Sequence, residues 1–224
     1  MITPNNVRNQ VQVITSDLIR CGLSLDQKYP SIREDDGESI IDFGQVDLSI
    51  ALRNVDYKEI YNELAGAKSY NFKMIDGALV QIMYLFRGNS LQRHRLAFFP
   101  SPYLEEYQNE AEIYETDELY ADVIKKNIVP FPIRFDYDCR DEVVVNITHP
   151  KSHLTLGQYQ NCRVPVSAPL TPYIFALFIL RNFYNTAFNK YSEKITLFED
   201  FFERTITDEE QRLSHIQLPV GAPL

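Results

Sequence analysis

The residues best suited to chemistry lie in two short stretches, Arg134-Phe135-Asp136-Tyr137-Asp138 and His149-Pro150-Lys151-Ser152-His153-Leu154. Side chains on a β-strand alternate between faces. A strand here puts Arg134, Asp136 and Asp138 on one face, with Phe135 and Tyr137 on the other. A second strand from Ser152 puts His153 and Thr155 together, and pairing the two strands gathers both carboxylates and His153. Two carboxylates on one strand face can hold a hard divalent cation such as Mg²⁺ or Mn²⁺. A neighbouring imidazole adds a ligand or a general base. Arg134, Lys151 and Arg163 supply positive charge for a phosphate. The set suits metal-assisted cleavage or transfer at a phosphodiester, with Asp136, Asp138 and His153 catalytic and the two Asp residues holding the metal. The same alternation is also what a half-exposed strand shows, with Arg134 pairing the acids and His149-Pro150 forming a turn.

A second candidate is Arg93-His94-Arg95. Alternation places the two Arg residues together, opposite His94, where they could grip a phosphate or a carboxylate. The other reading is a charged strand edge guarded against pairing with another chain. Cys162 and His215 have no companions and read as structural. The chain carries no Gly-rich phosphate loop, zinc-binding HExxH helix, GxSxG elbow or RNA-recognition aromatic motif.

The elements that must position these residues are partly marked by local signals. Thr3-Pro4 reads as a helix start, and Val7, Val11, Ile14, Leu18 and Ile19 recur at helical spacing up to Cys21-Gly22, which predicts a helix over 4–21 with Arg8, Gln12 and Asp17 on its solvent face. Asp36-Gly37, between Ile32 and Ile40-Ile41, predicts a hairpin. A shorter helix is expected over 57–67, with Ile60, Tyr61 and Leu64 on one face. Apolar runs over 79–86 and 91–99 around a Gly88-Asn89 turn predict a second hairpin, its first strand covered on both faces. An acidic, helix-prone stretch occupies 104–127, and strand candidates at 131–138, 143–147, 152–156 and 163–166 suggest a meander. Thr171-Pro172 opens an apolar helix over 173–190, and two more helical segments are expected near 195–204 and 208–214. Grouped strands with flanking helices indicate an α+β fold: a mainly antiparallel sheet over about residues 70–166, C-terminal helices over about 172–215, and one compact domain over 1–224.

Composition bounds the function classes. The chain has 224 residues, 45% hydrophobic and 24% charged, which fits a folded domain. A net charge of −9 argues against broad, non-specific DNA binding but leaves room for a local basic groove. Three widely spaced cysteines, Cys21, Cys139 and Cys162, without a CxxC pair fit free thiols in a reducing compartment. No apolar run is long enough to span a membrane and no signal peptide is evident, so a cytoplasmic location is expected.

Four strings, His94-Arg95-Leu96-Ala97-Phe98-Phe99-Pro100, Pro130-Phe131-Pro132-Ile133-Arg134-Phe135-Asp136, His149-Pro150-Lys151-Ser152-His153-Leu154-Thr155 and Arg181-Asn182-Phe183-Tyr184, carry a family resemblance. Through them the chain resembles the bacterial domain-of-unknown-function 2290 family (DUF2290). Members resembling this one are encoded beside a helicase in anti-phage defence loci. The resemblance therefore implies a helicase partner and a nucleic-acid context, and it assigns neither a reaction nor a site residue. The leading expectation is a component of such a system that binds phage nucleic acid, or cleaves it as a metal-dependent nuclease. The alternative is a non-catalytic adaptor docking on the helicase through the acidic stretch 105–122 and Tyr103, Tyr107, Tyr114 and Tyr120, or a sensor of a phage protein or nucleotide.

Overall fold

The computed structural model describes residues 2–44, 55–103, 130–159 and 161–219. Helix α1 (Pro4–Arg20) begins at a capping box: the Thr3 hydroxyl accepts from the Asn6 backbone N–H at 3.2 Å, and the Asn6 side chain accepts from Thr3 N–H at 2.9 Å. It ends where Gly22, at φ +70°, lets the chain turn back, with Leu23 N–H donating to the Leu18 carbonyl. Val7, Val11, Ile14 and Leu18 are buried, as their spacing predicts, whereas Ile19 is exposed and Asp17, expected in solvent, is buried where it accepts from Thr196 N–H.

Among the described residues, nine strands form one antiparallel sheet. They are β1 (Ser24–Gln27), β2 (Ser31–Asp35), β3 (Glu38–Asp42), β4 (Phe72–Met74), β5 (Leu79–Arg87), β6 (Ser90–Phe99), β7 (Ile133–Asp138), β8 (Ser152–Leu156) and β9 (Val164–Pro165). The main order is β1-β4-β5-β6-β7-β8-β9; the β2–β3 hairpin joins through β3, which pairs with the far end of β5. The β2–β3 turn is the expected Asp-Gly, with Asp36 at φ +46° and Gly37 at φ +77°, the left-handed pair a tight hairpin needs. In β6, Gln92 bulges out of register between Arg93, opposite Leu85, and Leu91, opposite Phe86.

One face of the sheet is the main core. Val80, Ile82, Phe86, Leu96, Phe98 and Phe135 pack against α1 and α3 (Pro172–Phe183). The Phe135 ring meets Phe178 edge-on at 5.1 Å, and Phe98 lies 4.7 Å from Phe183. On the opposite face α2 (Tyr57–Gly66) lays Ile60, Tyr61 and Leu64 over Leu79, Ala97 and Phe99. The two layers together explain why β5 is apolar almost throughout. Further along, that second face bears the polar side chains of β6, β7 and β8.

Three local expectations are overturned. Residues 143–147 form a turn rather than a strand: Ile147 sits at φ +72°, and Val145 pairs with His149 only through an isolated bridge. The helix expected over 173–190 breaks at Tyr184 into α3 and α4 (Asn185–Tyr191), where the buried Tyr184 hydroxyl donates to Asp76 at 2.7 Å. Residues 195–204 are not helical, apart from the C-cap of a short 3₁₀ turn (Ser192–Lys194) at their start. They form a strap over the core, with Thr196 N–H donating to Asp17 at 2.7 Å and Gln10 donating to Asp200 at 3.0 Å. α5 (Asp208–Gln211) is shorter than expected and carries a Thr207–Glu210 capping box. The acidic stretch 104–127 lies outside the described residues. Among the described residues, no helix is long and apolar enough to cross a membrane.

Candidate functional site

The register of the inner strands builds a charged floor. β6 and β7 pair Arg93 with Asp138 and Arg95 with Asp136; β7 and β8 pair Asp136 with His153 and Arg134 with Thr155. All of these side chains share the face that α2 leaves open, so the clustering expected of Arg134, Asp136, Asp138 and His153 is present. β6 is an interior strand, so Arg93 and Arg95 do not guard a sheet edge. Beyond β8 the chain turns at Gly157, and the loop to β9 raises a wall with Gln158, Tyr159, Cys162 and Arg163. The Gln158 side chain donates to the Val55 carbonyl at 3.0 Å, tying this wall to the chain before α2. The described residues enclose a cleft of about 910 Å³.

Five guanidiniums, those of Arg93, Arg95, Arg134, Arg140 and Arg163, line this cleft together with the carboxylates of Asp136 and Asp138. Asp136 is shared: Arg95 Nε donates to it at 3.3 Å, and Arg134 Nε lies 3.4 Å from its other oxygen without hydrogen-bonding alignment. Arg134 Nε is buried and has no hydrogen-bond partner among the described residues. Burial pulls the Arg134 pKa down, Asp136 opposes this, and Arg95 and Arg163 add to the lowering. An arginine stays charged regardless. Asp138 is gripped by Arg140 through Nε at 3.0 Å and a terminal nitrogen at 2.7 Å. Burial works against ionising Asp138, but the Arg140 contacts prevail and hold it below the ordinary carboxylate range.

His153 is buried, and its Nδ1 lies 2.9 Å from the Pro150 carbonyl, so Nδ1 carries the proton in the neutral ring and Nε2 the lone pair. Burial lowers its pKa, with Asp136 opposing. His149 packs edge-on against it, ring centroids 5.1 Å apart, and is lowered by burial and then by Arg163. Both rings are therefore biased toward the neutral form. His94 points the other way, into the core, where Nε2 accepts from Leu170 N–H at 3.2 Å between Tyr84 and Tyr137. Burial pushes it down to about 4.

Lys151 does not join the cluster; its ammonium lies 3.5 Å from Asp141, outside the cleft lining. Arg140, Tyr159 and Cys162 also line the cleft, though the residue pattern does not single them out as a site, and so does His149, weighed from the sequence as part of a turn. The signal for Arg140 was its place two residues beyond Asp138. The donor set fits a metal poorly. Among the described residues no three His, Cys, Asp or Glu side chains gather as ligands, and both expected metal-binding carboxylates are engaged by guanidiniums. What the arrangement offers is a pre-formed, positively charged pocket for an anion. Of the proposed docking aromatics, Tyr103 donates to Asn62 at 2.7 Å beneath Lys58, while Tyr107, Tyr114 and Tyr120 lie outside the described residues.

The sequence model of one family, described as uncharacterized conserved protein (DUF2290), matches residues 23–218. The chain belongs to the DUF2290 family. The matched stretch holds the whole sheet and every cleft residue of this DUF2290 protein; α1 lies before it. Neither a curated protein nor a solved structure matches the chain.

Proposed function

We propose that this protein binds nucleic acid through the arginine-lined cleft, as the cytoplasmic nucleic-acid-binding component of a helicase-linked anti-phage system. The observation that carries the reading is the convergence of five guanidiniums on one open face of a protein whose net charge is −9. A surplus of positive charge in one concave place has a cost unless an anion comes to it. Phosphates, with oxygens spaced for forked guanidinium contacts, are the matching ligands. The helicase and defence context rests on the resemblance of the sequence to its family. Binding is favoured over metal-dependent cleavage because Asp136 and Asp138 already serve the guanidiniums.

The test is anisotropy with labelled DNA and RNA oligonucleotides, comparing the wild type with Arg93→Glu and Arg163→Glu. Neither residue is fully buried, so both variants should fold. Each reversal should weaken binding about tenfold or more, since a hydrogen bond to a charged group is worth roughly 1.5–3 kcal/mol. Absence of wild-type binding, with the helicase still co-purifying, would replace this reading with that of a docking adaptor. Cleavage that depends on Mg²⁺ or Mn²⁺ and is lost in Asp136→Asn would restore the nuclease reading.

A further inference from the structure

Beside the cleft, two large aromatic side chains are left in solvent. Tyr159 is 75% exposed and Phe131 44% exposed. They come from different segments, one before β7 and one after β8, that meet at Gly157; Tyr159 lines the cleft and Phe131 lies outside its lining. A Cβ added to Gly157 would sit 3.4 Å from the Tyr159 ring and 3.6 Å from Phe131 Cβ. Gly157 holds a left-handed backbone at φ +62°, and its N–H donates to the Pro132 carbonyl at 2.7 Å, which fixes the turn that presents them. An exposed ring at the lip of a cationic groove is the pairing of parts that unpaired nucleic acid selects: guanidiniums track the phosphates while a base stacks on the ring. A duplex hides its base faces and gains nothing from it.

We propose that the cleft takes an unpaired strand, with phosphates on the arginines and a base stacked on the exposed Tyr159 ring. This rests on the nucleic-acid reading above and adds the class of strand. An exposed ring acts on base faces of any kind, so it confers preference for single strands with little sequence specificity.

The experiment measures the affinity of wild type, Tyr159→Ala, Phe131→Ala and Tyr159→Phe for a single-stranded oligonucleotide and for the matching duplex. The wild type should prefer the single strand. Tyr159→Ala should weaken single-strand binding by about 5- to 100-fold, leave duplex binding and the thermal midpoint unchanged, and be rescued by Tyr159→Phe. Phe131→Ala, outside the cleft lining, should have a smaller effect. Equal binding of both forms, unmoved by either alanine, overturns the stacking inference and leaves the nucleic-acid reading standing. Failure to bind either form removes both. A mononucleotide that competes as strongly as the oligonucleotide shows a free-nucleotide site and overturns the inference.

Discussion

At the scale of single residues, Asp136 separates the two chemistries open to this face. It lies between Arg95 and Arg134 and opposite His153. If its task is to hold guanidiniums, Asp136→Asn leaves more free positive charge in the cleft, and oligonucleotide binding should hold or tighten by a few-fold. A metal site would lose its function instead, so binding titrations of this one variant separate the two. His94 makes a prediction about acid. The folded protein keeps it neutral down to about 4, against an ordinary value of 6.5. On acidification the unfolded chain takes up the proton first, so stability falls as pH drops through that window and levels off below it. The loss is on the order of 3 kcal/mol, and the lowered His149 and His153 add to it in direction. Urea midpoints across this range should fall less steeply in His94→Gln, which keeps an acceptor for Leu170 N–H but cannot be protonated.

At the scale of elements, two connections carry unusual weight. The β8–β9 turn depends on Gly157, at φ +62° with Tyr159 close above it. Gly157→Ala should cost about 1–2 kcal/mol from the left-handed conformation alone, visible as a lower urea midpoint. The break between α3 and α4 depends on Tyr184 reaching Asp76. Burial raises the Asp76 pKa, while Tyr184 and the Ala78 N–H oppose that rise. Tyr184→Phe removes one of these partners from a buried carboxyl and should destabilise by about 1–3 kcal/mol, read from chemical denaturation. The same loss should be much smaller in an Asp76→Asn background, because the two groups act as a pair.

At the scale of the whole molecule, the contrast is between an acidic chain and a basic cleft. A net charge of −9 repels polyanions from most of the surface and leaves the cleft as the place of approach. Binding should therefore weaken steeply with salt. Three to five phosphate contacts on a single strand predict a log–log slope of roughly −2 to −3.5. A slope near zero across a salt titration would show that the arginines are held by their own carboxylates and do not meet phosphate.

The short-range features of this protein are written in its sequence. Thr3-Pro4 and Thr171-Pro172 start helices, Asp36-Gly37 turns a hairpin, and period-two alternation puts Arg134, Asp136 and Asp138 on one face. Each is decided by the backbone and side-chain preferences of a few neighbouring residues. The same local signals mislead where distant partners intervene. Gln10 and Asp17 hold an extended strap where a helix is expected, and Asp76 draws Tyr184 out of one. The rest of the site belongs to this second kind. That Arg95 meets Asp136, that Arg140 and Arg163 reach the same cleft, and that Lys151 turns away to Asp141 follow from strand register and loop paths. Register is chosen by burying one complete face of the sheet against α1 and α3, a cooperative contest among residues tens of positions apart. Local sequence therefore determines which residues share a face; only the packed sheet decides which faces meet.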